Sequence, residues 1–210
     1  MSEIFDFLFE QYKTSSNTDI VLEVIAIIFG FLSVWFSKQN KIWVFPTGMI
    51  STSIFVYLLL KWELLGDMMI NAYYFIMSVY GWYIWTRKVD ETHVTPISKT
   101  NLKEKQIAIA IFFATLLFVF VVYKYFDKWT SWVAYADTFT TAIFFVGMWL
   151  MAKRKIENWL FWILGNIISV PLYFYKGLTF TSFQYFGFTF IAIFGYIAWK
   201  KSLNKNPSIL

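Results

Sequence analysis

The chain has 210 residues, 59% of them hydrophobic, 23% aromatic and only 15% charged, with a formal net charge of +5 and no cysteine. A soluble domain carries about a quarter charged residues, so a soluble globular fold is excluded, and without thiols so are disulfides and thiolate chemistry. The positive balance invites a nucleic-acid reading, but basic loops on one side of a membrane account for it better.

The opening "MSEIFDFLFEQYK" is acidic where a signal peptide is basic. Ile4, Phe5, Leu8 and Phe9 share one helical face, so residues 1–17 are expected as a short interfacial segment or a frayed terminus. Seven apolar stretches follow, at 18–37, 42–60, 66–86, 105–124, 133–152, 158–176 and 180–200. Each is about the 20 residues that a bilayer span needs, and none alternates in the way of a transmembrane strand. Backbone groups inside a bilayer must be satisfied within the segment, so the prediction is an all-α polytopic membrane protein of seven transmembrane helices.

Span 1 carries Glu23 and span 5 carries Asp137, each about one helical turn inside the outer end of its span. Intramembrane carboxylates are functional candidates: these two attract a cation to the outer mouth or close a gate, unless they mark hydrated span ends. Asn71 in span 3 and Gln184 in span 7 lie at similar depth and either line a cavity or pair helices. Tyr74, Tyr80 and Trp82 read as packing and belt residues. Span 4, "QIAIAIFFATLLFVFVVY", has almost no polar atom to offer a solute. His93 is the single histidine and falls in loop 87–104, where solvation is its expected state.

Seven spans put the two ends of the chain on opposite sides. The side of the N-terminus holds Lys13, Lys61, Lys124, Lys128 and Lys176, and the other side holds the remaining 13 of the 18 basic residues. The positive-inside rule makes that second side cytoplasmic, with the N-terminus outside and the tail 201–210 inside. The chain also repeats: Glu23, Trp35, Gly81, Trp82 and Trp85 are each matched 114 residues later by Asp137, Trp149, Gly195, Tyr196 and Trp199. Span 2 against span 6 is expected to need small register gaps. Residues 18–88 and 133–200 are then two three-helix repeats, and helix 105–124 connects them and restores their orientation, making them parallel. This 3+1+3 plan resembles that of the SWEET sugar transporters. In repeat-built carriers the solute sits near the midplane, between the repeats.

Span 6, "ENWLFWILGNIISVPLY", places Trp159, Trp162, Asn166, Ser169 and Tyr173 within an arc of about 80° at 100° per residue. Asn facing lipid is costly, so this stripe is predicted to look inward. Pro171 cannot donate to the carbonyl of Ile167 and is expected to kink the helix. Indole faces provide stacking and cation–π attraction, and a carboxamide provides a donor and an acceptor, which together suit a flat, cationic, hydroxylated ligand. In the blander alternative, Trp159 is an interfacial anchor and Asn166 bonds two helices.

Trp159-x-x-Trp162-x-x-x-Asn166 resembles the W-x-x-W-x-x-x-N motif of the Pnu-type vitamin transporters, and the resemblance extends over all seven spans. It includes "NAYYFIMSVYGWYIW" in span 3 and "FTFIAIFGYIAW" in span 7. It implies uptake of nicotinamide riboside through a bacterial inner membrane by facilitated diffusion, a homotrimer, and a cytoplasmic kinase that traps the product. It also assigns Trp159, Trp162 and Asn166 to the substrate site and implies no enzymatic activity and no cofactor or metal. Thiamine carriers share the scaffold, so thiamine stays open as the substrate. Ion coupling also stays open, since Glu23 or Asp137 could titrate, although the sequence has no nucleotide-binding loop. A retinal photoreceptor would need a lysine deep in span 7, where residues 180–199 have none. An intramembrane hydrolase would need a nucleophile and base at depth.

Overall fold

A computed structural model of the chain describes residues 16–62, 65–87, 95–127, 129, 131–176 and 179–205. The expected interfacial segment therefore lies outside the described residues up to position 15, as does His93. Seven helices occur among the described residues: α1 Asn17–Lys38, α2 Val44–Lys61, α3 Leu65–Thr86, α4 Leu102–Tyr125, α5 Trp132–Ala152, α6 Asn158–Tyr175 and α7 Thr179–Lys205. Their starts follow from local chemistry. Ser16 is extended (φ −71°, ψ 151°) and its hydroxyl accepts the Asp19 amide, which caps α1. Asn101 and Glu104 form a reciprocal capping box at α4, with bonds of 2.9 and 3.0 Å.

By length and hydropathy, five of the seven are able to cross a membrane unaided: α1, α2, α4, α5 and α7. The two that fall short, α3 and α6, carry Asp67, Asn71 and the Trp–Asn–Ser–Tyr stripe. Polar residues lower their hydropathy, and such residues are kept inside a bilayer only when they face protein or a solute.

The helices assemble as two triplets. In one, α2 packs against α1 and α3; in the other, α6 packs against α5 and α7. The triplets meet along α1–α7 and α3–α5, two contacts that exchange when the repeats are exchanged. Helix α4 leans mainly on α5 and leaves Phe113 and Leu117 exposed on its far face. Helix α5 is the most deeply buried of the apolar spans.

The repeat is repeated down to single hydrogen bonds. After α1, Asn40 is left-handed (φ 57°), and after α5, 114 residues on, Arg154 is left-handed as well (φ 54°). Around them, Asn40 N–H bonds Ser37 O at 2.9 Å and Lys41 N–H bonds Phe36 O at 2.9 Å. Arg154 N–H to Met151 O and Lys155 N–H to Leu150 O have the same lengths, 2.9 Å each. This left-handed step satisfies the last carbonyls of each helix. Each turn then feeds an 18-residue helix, α2 or α6, starting 114 residues apart.

That offset holds through α2 and α6, so the gaps expected there are not needed. Phe45 and Trp159 are equivalent, and each packs its ring where a Cβ would stand on the equivalent glycines Gly81 and Gly195. On Gly195 such a Cβ would lie 2.6 Å from the Trp159 ring. Small residues let the backbones approach, as helix contacts in lipid require. What differs between the repeats is which partner is large. Gly30 faces Ser51 and Gly48 faces Ser33 across α1–α2, whereas Phe144 faces Gly165 and Trp162 faces Gly147 at the same places across α5–α6. The first repeat is closely packed, and the second has aromatic rings there.

At the end bearing the two turns, the repeats hold each other. Trp85 Nε1 donates to Ala152 O at 3.1 Å and Trp199 Nε1 to Ser37 O at 3.0 Å, each reaching from the third helix of one repeat to the first helix of the other. The two indoles stand 6.0 Å apart. The segment before α4 is tied to the α5–α6 turn by a Ser98–Lys155 bridge and by Glu157 accepting the Thr100 amide at 3.1 Å. The Arg154 guanidinium lies 4.1 Å over Trp85 and donates to Thr95 O. Burial lowers the pKa of Arg154 to about 10, so it stays a cation at neutral pH.

Candidate solute site between the repeats

Helix α6 has two opposed faces. Leu160, Leu164, Ile167 and Phe174 are exposed, together with Pro171, on the side that meets lipid. Trp159 (1% exposed), Asn166 (3%) and Ser169 (0%) are buried on the other, with Trp162 and Tyr173 half-buried beside them. The helix runs unbroken from Asn158 to Tyr175 with Pro171 inside it.

Five residues of one stripe do not share one environment. Trp159 belongs to the packed turn end: its ring sits on Gly195 and meets Trp199 edge-on at 5.5 Å. Trp162 lies a turn further along, between aromatic rings from two other helices. It is 5.5 Å from Phe144 of α5 and 6.1 Å from Tyr74 of α3. Phe144 is nearly parallel (14°) to Tyr185 of α7 at 5.9 Å, and Tyr185 stacks on Tyr173 at 5.0 Å and 26°. Tyr74 also touches Phe145, on which Tyr73 stacks at 3.7 Å.

Trp162 and Tyr173, predicted from sequence, are thus brought together through Phe144 and Tyr185, which were not. Tyr74, expected to pack, borders the same cluster. The signal for Phe144 was present in the repeat: it replaces Gly30, just as Trp162 replaces Gly48. The buried Ser169 Oγ and Trp159 Nε1 have no hydrogen-bond partner among the described residues. Buried polar groups are bonded in the great majority of cases; these two lie ten residues apart, about 15 Å along the helix, one in the packed turn end and one beyond the Trp162 rings.

At the opposite end from the turns, Asp137 accepts from Lys176 Nζ at 2.6 and 2.7 Å. Lys176 also lies 4.8 Å over the Tyr173 ring. Asp67 of α3 is within electrostatic reach of both charges, and Tyr123 of α4 is beside Asp137. Two acidic side chains and one lysine are thus gathered at this end. In the first repeat the ion pair uses Asp19 with Lys61 at 2.6 Å; Glu23 is half-buried one turn further along α1. Asp137 stands at this cluster. The Asn71 carboxamide donates to Asp67 O of its own helix at 2.9 Å. Gln184 is half-buried next to Tyr185, and no hydrogen bond ties it to the cluster among the described residues.

Comparison with known proteins agrees with this architecture. The family described as nicotinamide mononucleotide transporter matches residues 20–201. The nicotinamide riboside transporter PnuC of Escherichia coli is 24% identical over 89% of this chain and 88% of its own. That of Neisseria mucosa is 26% identical over 90% and 76%. The riboflavin/roseoflavin transporter RibM of Streptomyces davaonensis is 23% identical over 84% and 83%. The crystal structure of the vitamin B3 transporter PnuC superposes with a TM-score of 0.67 and 25% identity, covering 96% of this chain and 90% of that one.

Proposed function

Because the chain belongs to the nicotinamide mononucleotide transporter family, a family of multi-pass membrane transporters, we propose that it carries nicotinamide riboside across a bacterial inner membrane by facilitated diffusion with alternating access. The inward face of α6 carries this reading. Trp162 offers a stacking surface inside a cluster of rings, Asn166 a buried carboxamide, and Ser169 a buried hydroxyl without a partner. A pyridinium stacks on the rings, and the ribose or amide bonds to the polar pair.

The acidic groups Asp67 and Asp137 beside Lys176 can hold a cation, while they offer no donor to a phosphate-bearing mononucleotide beyond the already paired Lys176. It offers nothing particular to an uncharged flavin. The end bearing the turns faces the cytoplasm in this reading, as its excess of Lys and Arg requires. The Trp85 and Trp199 crossings then close the inner side and the Lys176–Asp137 pair the outer, and passage requires each to open in turn. Assembly as a homotrimer and trapping by a cytoplasmic kinase belong to the same proposal.

Calorimetric titration of the purified protein tests it. Nicotinamide riboside is expected to bind with a measurable heat, and more tightly than thiamine, riboflavin or the mononucleotide. Tighter binding of thiamine or riboflavin would reassign the substrate.

A further inference from the structure

The ion pairs in the two repeats are not equivalent. Asp19 sits in the first turn of α1, and its partner Lys61 is 47% exposed, as a rim salt bridge would be. Asp137 comes 118 residues after Asp19, four more than the repeat, and so lies one turn deeper in its helix. Lys176, the C-cap of α6, reaches it and is 21% exposed. There its ammonium bonds both Asp137 oxygens and stands over the Tyr173 ring.

Beneath that ring the faces descend as a ladder. Tyr173 lies on Tyr185 (26°), Tyr185 on Phe144 (14°), and Phe144 on Trp162 (30°). One end of the ladder is the tryptophan of the proposed site, and the other is already occupied by a cation. A lysine held over an aromatic face and bonded to a carboxylate makes the interactions that an aromatic cation would make there.

We propose that Lys176 is a resident cation: its ammonium occupies the outermost cation position of the ring ladder, holds the outer end closed, and is displaced when the charge of an incoming aromatic cation competes for Asp137. The proposal rests on the reading that the solute passes along this face to Trp162. The first repeat lacks the device because Lys61 is paired at the rim and the positions equivalent to Phe144 and Trp162 are Gly30 and Gly48.

The chain contains no cysteine, so Ser169→Cys introduces a single thiol one turn below Tyr173. The rate at which a membrane-impermeant, cationic methanethiosulfonate reagent added from outside modifies it reads opening of the outer end in the full chain. Lys176→Gln is expected to raise that rate tenfold or more, while Lys176→Arg keeps it near that of the parent. An unchanged rate in the glutamine variant, or an arginine variant as fast as it, would overturn the proposal. Should Lys176→Gln fail to reach the membrane, Asp137→Asn releases the same ammonium isosterically, and an unchanged rate there is equally fatal. A separate arm titrates nicotinamide riboside calorimetrically into the protein that keeps Ser169. Binding is expected, and its absence would remove the substrate assignment even where the glutamine variant opens the path.

Discussion

Trp162→Ala is expected to weaken nicotinamide riboside binding by roughly 10- to 100-fold, equivalent to about 1–3 kcal/mol. The indole is the large partner at a position where the other repeat has glycine, so it is not needed to bring the helices together. Its removal takes away the face between Phe144 and Tyr74 on which a pyridinium would lie. Trp162→Phe keeps a face and should recover part of the loss. Calorimetry on both variants, with melting temperature as the check on folding, separates lost stacking from lost structure. A melting temperature close to that of the parent is the accompanying expectation.

Trp199→Ala should act in the opposite sense, on stability first. This indole is 1% exposed, meets Trp159 edge-on and Trp85 at 6.0 Å, and donates to Ser37 O of the other repeat. In lipid the transfer term of burial is small, because lipid tails are as apolar as a core. What remains is lost dispersion, a cavity and an unsatisfied carbonyl, together on the order of 3 kcal/mol. Thermal unfolding in detergent should show a lowered midpoint. Trp199→Phe fills much of the cavity but lacks the donor, so an intermediate midpoint isolates the hydrogen bond.

Much of this was legible in the sequence, because a bilayer imposes few solutions. The seven helices follow the seven apolar stretches, with ends within a few residues of them, although α3 and α6 are too polar to count as spans on hydropathy alone. The inward stripe of α6 followed from the cost of Asn166 in lipid, and its opposite face is indeed the exposed one. The 114-residue offset was visible in the tryptophans and glycines of spans 3 and 7. It was obscured in spans 2 and 6 because the equivalent residues differ in size: Phe45 and Trp159, Gly48 and Trp162, Ser51 and Gly165. The backbone keeps the register, while the side chains exchange bulk across each helix pair.

Three features needed coordinates. A stripe has a direction but not a depth profile, so sequence could not separate Trp159, packed on Gly195, from Trp162 among the rings. Asp67 and Lys176 look like ordinary span-end charges until α3 and α6 are placed beside Asp137. Tyr185 is one of many aromatic residues in this chain, and only the angles between rings single it out, whereas Phe144 is marked in the repeat by replacing Gly30.

A structure of the protein with nicotinamide riboside bound measures the central claim most directly. The pyridinium is expected within about 4 Å of the Trp162 ring, in contact with aromatic faces of Phe144, Tyr74 or Tyr185, and with a polar group of the ligand bonded to Asn166 or Ser169. Ligand found instead outside the α6 face, for example in the crevice that Met69, Phe118, Val122 and Tyr123 line between α3, α4 and α5, would contradict the account.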